Sequence, residues 1–247
     1  VAWLRLAGAA LILTAVARPR LRGRTAAQWR PVLAYGLAMV AMNLSFYYAI
    51  ARIPIGLAVT FEFLGPLGVA IAASRRPRDY LWAALAGAGV VLLGFVPVGL
   101  DAAGVALALL AGAFWAAYIV LAGPVGRAWS GVTGVTVATW IGALVLVLPA
   151  LVTAAGASGG GWGGDPRVWL LGLAVALMSS VIPYGLEMVA LRRLDRGVFG
   201  ILMSLEPAVA ALFAFLLLHE QLRPVELLAM GCVIVASVGS TRGARPA

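Results

Sequence analysis

The chain contains no lysine, a single cysteine (Cys232) and a single histidine (His219). Without lysine it cannot complete a phosphate-binding loop of the kind ATP-driven pumps use. The stretch "GASGGGWGGDP" (Gly156–Pro166) is glycine-rich but reads as a linker joining two apolar segments. One cysteine excludes an internal disulfide framework, and its apolar surroundings fit a small buried hydrophobe. One histidine beside Glu220, with no second His or Cys to join it, leaves no zinc constellation, so His219 is expected to cap or face the surface. No metal and no cofactor are expected.

Charge is scarce as well. Charged residues make up 11% of 247 positions and hydrophobic residues 63%, where a soluble domain has about 25% charged. Mean hydropathy is +1.03. Strict alternation of apolar and polar residues is missing, which argues against a β-barrel; helices satisfy their own backbone in lipid. Apolar runs at Pro31–Ala51, Ile53–Ala73, Tyr80–Leu100, Ala102–Ala122, Val132–Ala155, Val168–Leu191, Gly197–Leu218 and Pro224–Thr241 are each near the ~20 residues that cross a bilayer. Val1–Ala17 is a shorter ninth; its arginines follow the apolar stretch, whereas a signal peptide carries charge in front.

The 18 arginines set orientation. Fourteen fall in one set of alternate connections and three (Arg52, Arg167 and Arg223) in the other, with Arg5 inside the first span. The positive-inside rule then places the arginine-rich loops and the C-terminus in the cytoplasm. Anionic membrane lipids are the natural partner of this charge, and nucleic acid is not, because the arginines are dispersed along one membrane face. Asp101 and Asp165 sit on the outer side and read as solvated loop residues.

Sliding the chain by 141 residues superposes "AIARIPIGLAVTFEFLGP" (Ala49–Pro66) on "ALRRLDRGVFGILMSLEP" (Ala190–Pro207), matching Ala49 with Ala190, Gly56 with Gly197 and Pro66 with Pro207. Arg52 is outside and Arg193 inside by the charge count, so the copies are expected to run in opposite directions, which needs an odd number of spans in each. Residues 101–247 hold five spans and residues 1–100 four. The expected architecture is an all-α, five-plus-five inverted repeat whose first helix is missing, with nine transmembrane helices present. Such repeats characterise secondary transporters with a midplane site.

Each copy carries a glutamate near a mid-helix proline: Glu62 before Pro66, and Glu206 beside Pro207. A carboxylate at mid-span is costly, at about 2.5–3.5 kcal/mol on insertion scales, and is expected to face a bundle interior or wet cavity. Two such groups can carry protons or receive an ammonium group; the alternative is a hydrogen-bonded acid that joins helices. Pro66, Pro183 and Pro207 each remove a backbone donor and mark helix breaks. Asn43, Tyr47, Tyr48, Thr60, Ser179, Ser180, Tyr184 and Ser204 supply hydroxyl and amide groups for a zwitterion, and Trp115 with Tyr118 an aromatic wall; interhelical hydrogen bonding and plain packing are the alternatives. Glu187, five residues before Arg192, reads as a gating or arginine-paired group. Gly104, Ala108, Gly112 and Ala116 form a small-residue stripe for close helix packing.

The segments "EFLGPL" followed by "SRRP", and "IPYGLEM" followed by "LMSLEPA", resemble the EamA family of the drug/metabolite transporter superfamily, over nearly the whole chain. The resemblance implies ten helices in the bacterial inner membrane and export of small metabolites, here amino acids of the threonine or homoserine kind, against inward proton movement. The family's first helix is the one absent here. Related members differ in cargo, so other metabolites or drugs are alternative substrates, and a second copy of the chain is a candidate partner. Readings from other classes are an intramembrane enzyme using the two glutamates, which lacks a Ser–His or zinc constellation, and a channel or non-transporting scaffold.

Overall fold

A computed structural model describes residues 2–19, 21–73, 77–94, 101–155, 166–183, 186, 206–219 and 223–242. Every regular element among them is helical: α1 (Ala2–Ala17), α2 (Ala26–Ile50), α3 (Ile55–Glu62), α4 (Leu64–Ala73), α5 (Pro77–Gly94), α6 (Ala102–Ala128), α7 (Thr133–Ala155), α8 (Pro166–Ala176) leading into a π turn (Leu177–Val181), α9 (Glu206–Leu218) and α10 (Pro224–Arg242). Among the described residues three stretches, Ala26–Ile50, Ala102–Ala128 and Thr133–Val152, are long and apolar enough by themselves to cross a membrane; Ala2–Ala17, Ile55–Val69, Pro166–Val181 and Pro224–Gly239 are shorter apolar helices.

Local chemistry explains the boundaries. Pro77, Pro166 and Pro224 each open a helix, where a missing N–H costs nothing. At the start of α2 the Thr25 N–H donates to Gln28 Oε1 at 3.1 Å, and at the start of α10 the Arg223 N–H donates to Glu226 Oε2 at 2.6 Å; both are the reciprocal arm of a capping box. Arg18 (φ 43°) and His219 (φ 57°) leave α1 and α9 through the left-handed conformation that commonly ends helices. Prolines at 31, 124 and 149 lie inside α2, α6 and α7 without interrupting them. The expected span Ile53–Ala73, by contrast, is interrupted at the single residue Phe63, between α3 and α4, although Phe63 keeps helical angles (φ -65°, ψ -16°) and Ile55–Val69 remains one apolar stretch.

The chain divides into two compact units. One comprises Val1–Val40 and Val120–Arg192, the other Ala41–Ile119 and Arg193–Ala247. In the first unit α1 packs on α7, α8 and the π turn. Small residues bring these helices together: a Cβ added at Gly8 would stand 2.8 Å from Ala176 Cβ, and one at Gly172 3.1 Å from Leu4. The matched spacing shows α1 and α8 running side by side in the same direction, with Trp3 and Trp169 edge-to-face at 6.3 Å where both begin. A second aromatic pair, Trp29 and Trp129 at 5.2 Å, marks the junction of the start of α2 with the end of α6. Tryptophans in such positions sit at membrane–water interfaces.

In the second unit α5 packs on α10 and α3 packs on α9. Trp82 covers Gly239, while Gly89 faces Ala229 and Cys232, so α5 and α10 run antiparallel. The core holds Ala49, Ile53, Leu57, Ala58, Phe61, Ala108 and Ala229, with a second cluster of Leu67, Ala86 and Ala236. Arg52, just after α2, bonds Asp101, just before α6, at 2.9 Å. The chain therefore leaves one end of this unit through α3–α4 and returns to it through α5. Asp101 is more than a solvated loop residue, because its other carboxylate oxygen accepts the Ala103 N–H at 2.9 Å and caps α6.

Candidate functional site

Pro66 determines the site's geometry. It has no N–H to offer the Glu62 carbonyl four residues earlier, so the rung of the ladder at Glu62 is missing, while on either side of it Phe63 N–H donates to Val59 O at 2.9 Å and Leu67 N–H to Phe63 O at 3.2 Å. Glu62 is the last residue of α3 and is buried, at 9% exposure. On α6, Gly112 approaches the break so closely that an added Cβ would lie 2.6 Å from the Glu62 carbonyl oxygen, and one at Gly65 would collide with the Gly112 carbonyl. One turn further along α6, Trp115 meets Phe63 edge-to-face at 5.9 Å. The break is thus clasped by the backbone and one aromatic ring of α6.

Glu206 is the first residue of α9, the helix that packs on α3, whose last residue is Glu62. The surroundings of the two carboxyl groups differ: Glu62 is buried and Glu206 is exposed. A chain that buries an acid beside a second acid can lower the cost by taking up a cation there, either a proton or an ammonium group.

The remaining expected site residues separate. Thr60 is fully buried and its hydroxyl donates to Gly56 O at 2.7 Å, within its own helix. Asn43 and Tyr47, one turn apart on α2, are half-buried and engaged in contacts, whereas Tyr48 on another face is 62% exposed. Tyr118 is half-buried on α6, three residues beyond Trp115. Ser179, Ser180 and Pro183 belong to the first unit, and Glu62, Trp115 and Glu206 to the second. Pro207 lies in the first turn of α9; Tyr184, Glu187, Ser204 and Asp165 fall outside the described residues.

The π turn was not legible beforehand. Ile182 N–H donates to Leu177 O, five residues back. That diverts the donor an α-helix would give Met178 O, and the donor a continued π pattern would give it belongs to Pro183, which has none. Ser179 Oγ donates to Val175 O at 2.6 Å, while Ser180 Oγ is fully buried with no hydrogen-bond partner. Single-turn π segments concentrate at functional sites.

At the rim of the second unit, Arg52 holds the Asp101 carboxyl below the ordinary aspartate range, chiefly through its hydrogen bond, with the Ala103 N–H assisting. Among the described residues no group of three His, Cys, Asp or Glu side chains could hold a metal ion.

The EamA-like transporter family model matches residues 102–242. The threonine/homoserine exporter RhtA of Escherichia coli (strain K12) is 46% identical over 244 residues, covering 96% of this chain and 80% of that protein. RhtA of Salmonella typhimurium (strain LT2) is 45% identical with the same coverage. No solved structure matches. Taken with a helical chain that carries a buried acid at a broken apolar helix, these likenesses place the protein: it belongs to the EamA-like transporter family.

Proposed function

We propose that this chain exports threonine, homoserine or closely similar small amino acids across the bacterial inner membrane in exchange for protons. The observation that carries this reading is 46% identity to a threonine/homoserine exporter over 96% of the chain. The burial of Glu62 at the Pro66 break supplies the chemistry. In this proposal the ionised Glu62 carboxylate receives the substrate ammonium, and a proton arriving from outside displaces it. Competition for one carboxylate couples the two movements, because substrate and proton cannot both neutralise it. Glu206, exposed beside α3, serves as the neighbouring relay. Trp115 walls the break, and the Asn43 and Tyr47 pair on α2 offers groups for the substrate's polar end. The chain catalyses no chemical conversion.

Several features support an inverted repeat of residues 1–100 and 101–247. The 141-residue shift relates α1 to α7, α3 to the segment leading into α9, and α5 to α10. Of these, α1 with α7 and α5 with α10 are packed pairs, and α5 with α10 is antiparallel, as equivalent helices of opposite polarity require. The Arg52–Asp101 bond agrees with two crossings between those residues, with α3–α4 as one interrupted span. In this topology the C-terminus is cytoplasmic.

The experiment is export from proteoliposomes loaded with labelled threonine or homoserine under an imposed pH gradient. The reading requires efflux that collapses when the gradient is dissipated. Efflux indifferent to the gradient would remove proton exchange, and absence of efflux for both amino acids would remove the substrate assignment.

A further inference from the structure

We infer that the junction of the α1–α2 loop with the end of α6 is a binding site for the phosphodiester headgroup of an anionic lipid. The junction is built around Arg24. Its guanidinium donates one N–H to Ala128 O at 2.8 Å and lies over the Trp129 ring, 4.6 Å from its centroid. A guanidinium carries five N–H donors in a fixed fork, so this anchoring orients the group while leaving donors for an oxyanion. Trp129 is itself fixed: its indole N–H donates to Gln28 O at 3.0 Å, and it meets Trp29 edge-to-face. The loop is shaped toward this seat by the left-handed residues Arg18 and Gly23 and by the Thr25–Gln28 cap.

Charge completes the case. Arg22, Arg30 and Arg127 flank this seat in sequence, within two, two and one residues of Arg24, Gln28 and Ala128, and all three are exposed. Among the described residues of this unit there is no aspartate or glutamate. The anchored Arg24 guanidinium, with three further exposed arginines close by in sequence and no carboxylate among the described residues of this unit, lies at the depth where paired tryptophans mark the membrane–water boundary and attracts a phosphate that is itself confined to that depth. A free anion has the same chemistry but none of that confinement, so the lipid is the source the geometry favours.

The test is lipid retention by the purified full chain in native mass spectrometry, after equilibration with mixed phosphatidylglycerol and phosphatidylcholine vesicles. The Arg30→Gln/Arg127→Gln double variant keeps the Arg24 anchor and is expected to bind phosphatidylglycerol roughly tenfold more weakly. Arg223→Gln, an exposed arginine of the other unit, is expected to leave retention unchanged. Equal losses in both variants, or no loss in either, would overturn the site and leave these arginines as orientation signals only. Inorganic phosphate at millimolar concentration should not displace the lipid; if it does so fully, the site is one for free anions and the lipid assignment fails.

Discussion

Gly112 stands against the carbonyl oxygen of Glu62, with room for no side chain between them. This contact joins α6 to the broken helix at the point where Pro66 withdraws its donor. Gly112→Ala is therefore expected to displace the break or separate the helices, at a cost of about 1–3 kcal/mol for a core overfilled by one group. Thermal unfolding in detergent measures the loss, and export should fall with it. An unchanged unfolding temperature would mean that the helices do not meet here.

The two glutamates should not behave alike. Glu62 is buried at the break, so Glu62→Gln, which can neither ionise nor carry a proton, is expected to reduce gradient-driven export by roughly tenfold or more. Glu206 is exposed, and Glu206→Gln should act more weakly, slowing export without abolishing it. Proteoliposome efflux with matched protein levels decides the order; a larger effect at position 206 would reassign the primary carboxylate.

Asp101 does two jobs, pairing with Arg52 and capping α6. Asp101→Ala should therefore lower the unfolding temperature more than Arg52→Ala, with Asp101→Asn in between because the amide oxygen can still cap. The folded carboxyl is held below its ordinary value. As pH falls, the unfolded chain therefore takes up this proton first, and the group's contribution, complete at neutral pH, is lost as pH drops through the lowered value. Melting curves of the parent and Asp101→Asn should differ at neutral pH and converge in strong acid. A difference that grows with acidity would refute the sign.

Ser180 carries a buried hydroxyl that its π turn does not satisfy. Removing such a group avoids its desolvation cost, about 1–3 kcal/mol, so Ser180→Ala should raise the unfolding temperature. Ser179→Ala should do little, because that hydroxyl is exposed and bonds within its own helix. A drop in stability for Ser180→Ala would show that the hydroxyl is held by a bond.

Some of this was readable from composition and local pattern. Helicity, the apolar segments, and Glu62 and Pro66 as a marked pair all follow from short stretches of chain. Other features were not. Thr60 and Ser179 look like ligand groups in a sequence, yet each spends its hydroxyl on a carbonyl four residues back, a choice that depends on rotamer. In the sequence Gly112 is one member of a packing stripe, and nothing local says that it meets the Glu62 carbonyl. The π turn depends on which acceptor the Ile182 N–H takes, and a proline at 183 alone does not decide that.

The sequence by itself determined the solvent and the helical class of the described segments, because hydropathy and backbone satisfaction in lipid act on each segment independently of its neighbours. It also determined where the ladder must lapse, since proline lacks a donor wherever it sits. Only the tertiary structure decided that Glu62 is buried while Glu206 is exposed, and that each compact unit draws on both halves of the chain. Burial depends on what packs against a helix, and the packing residues, such as Gly112 against the Glu62 backbone, lie far away along the chain.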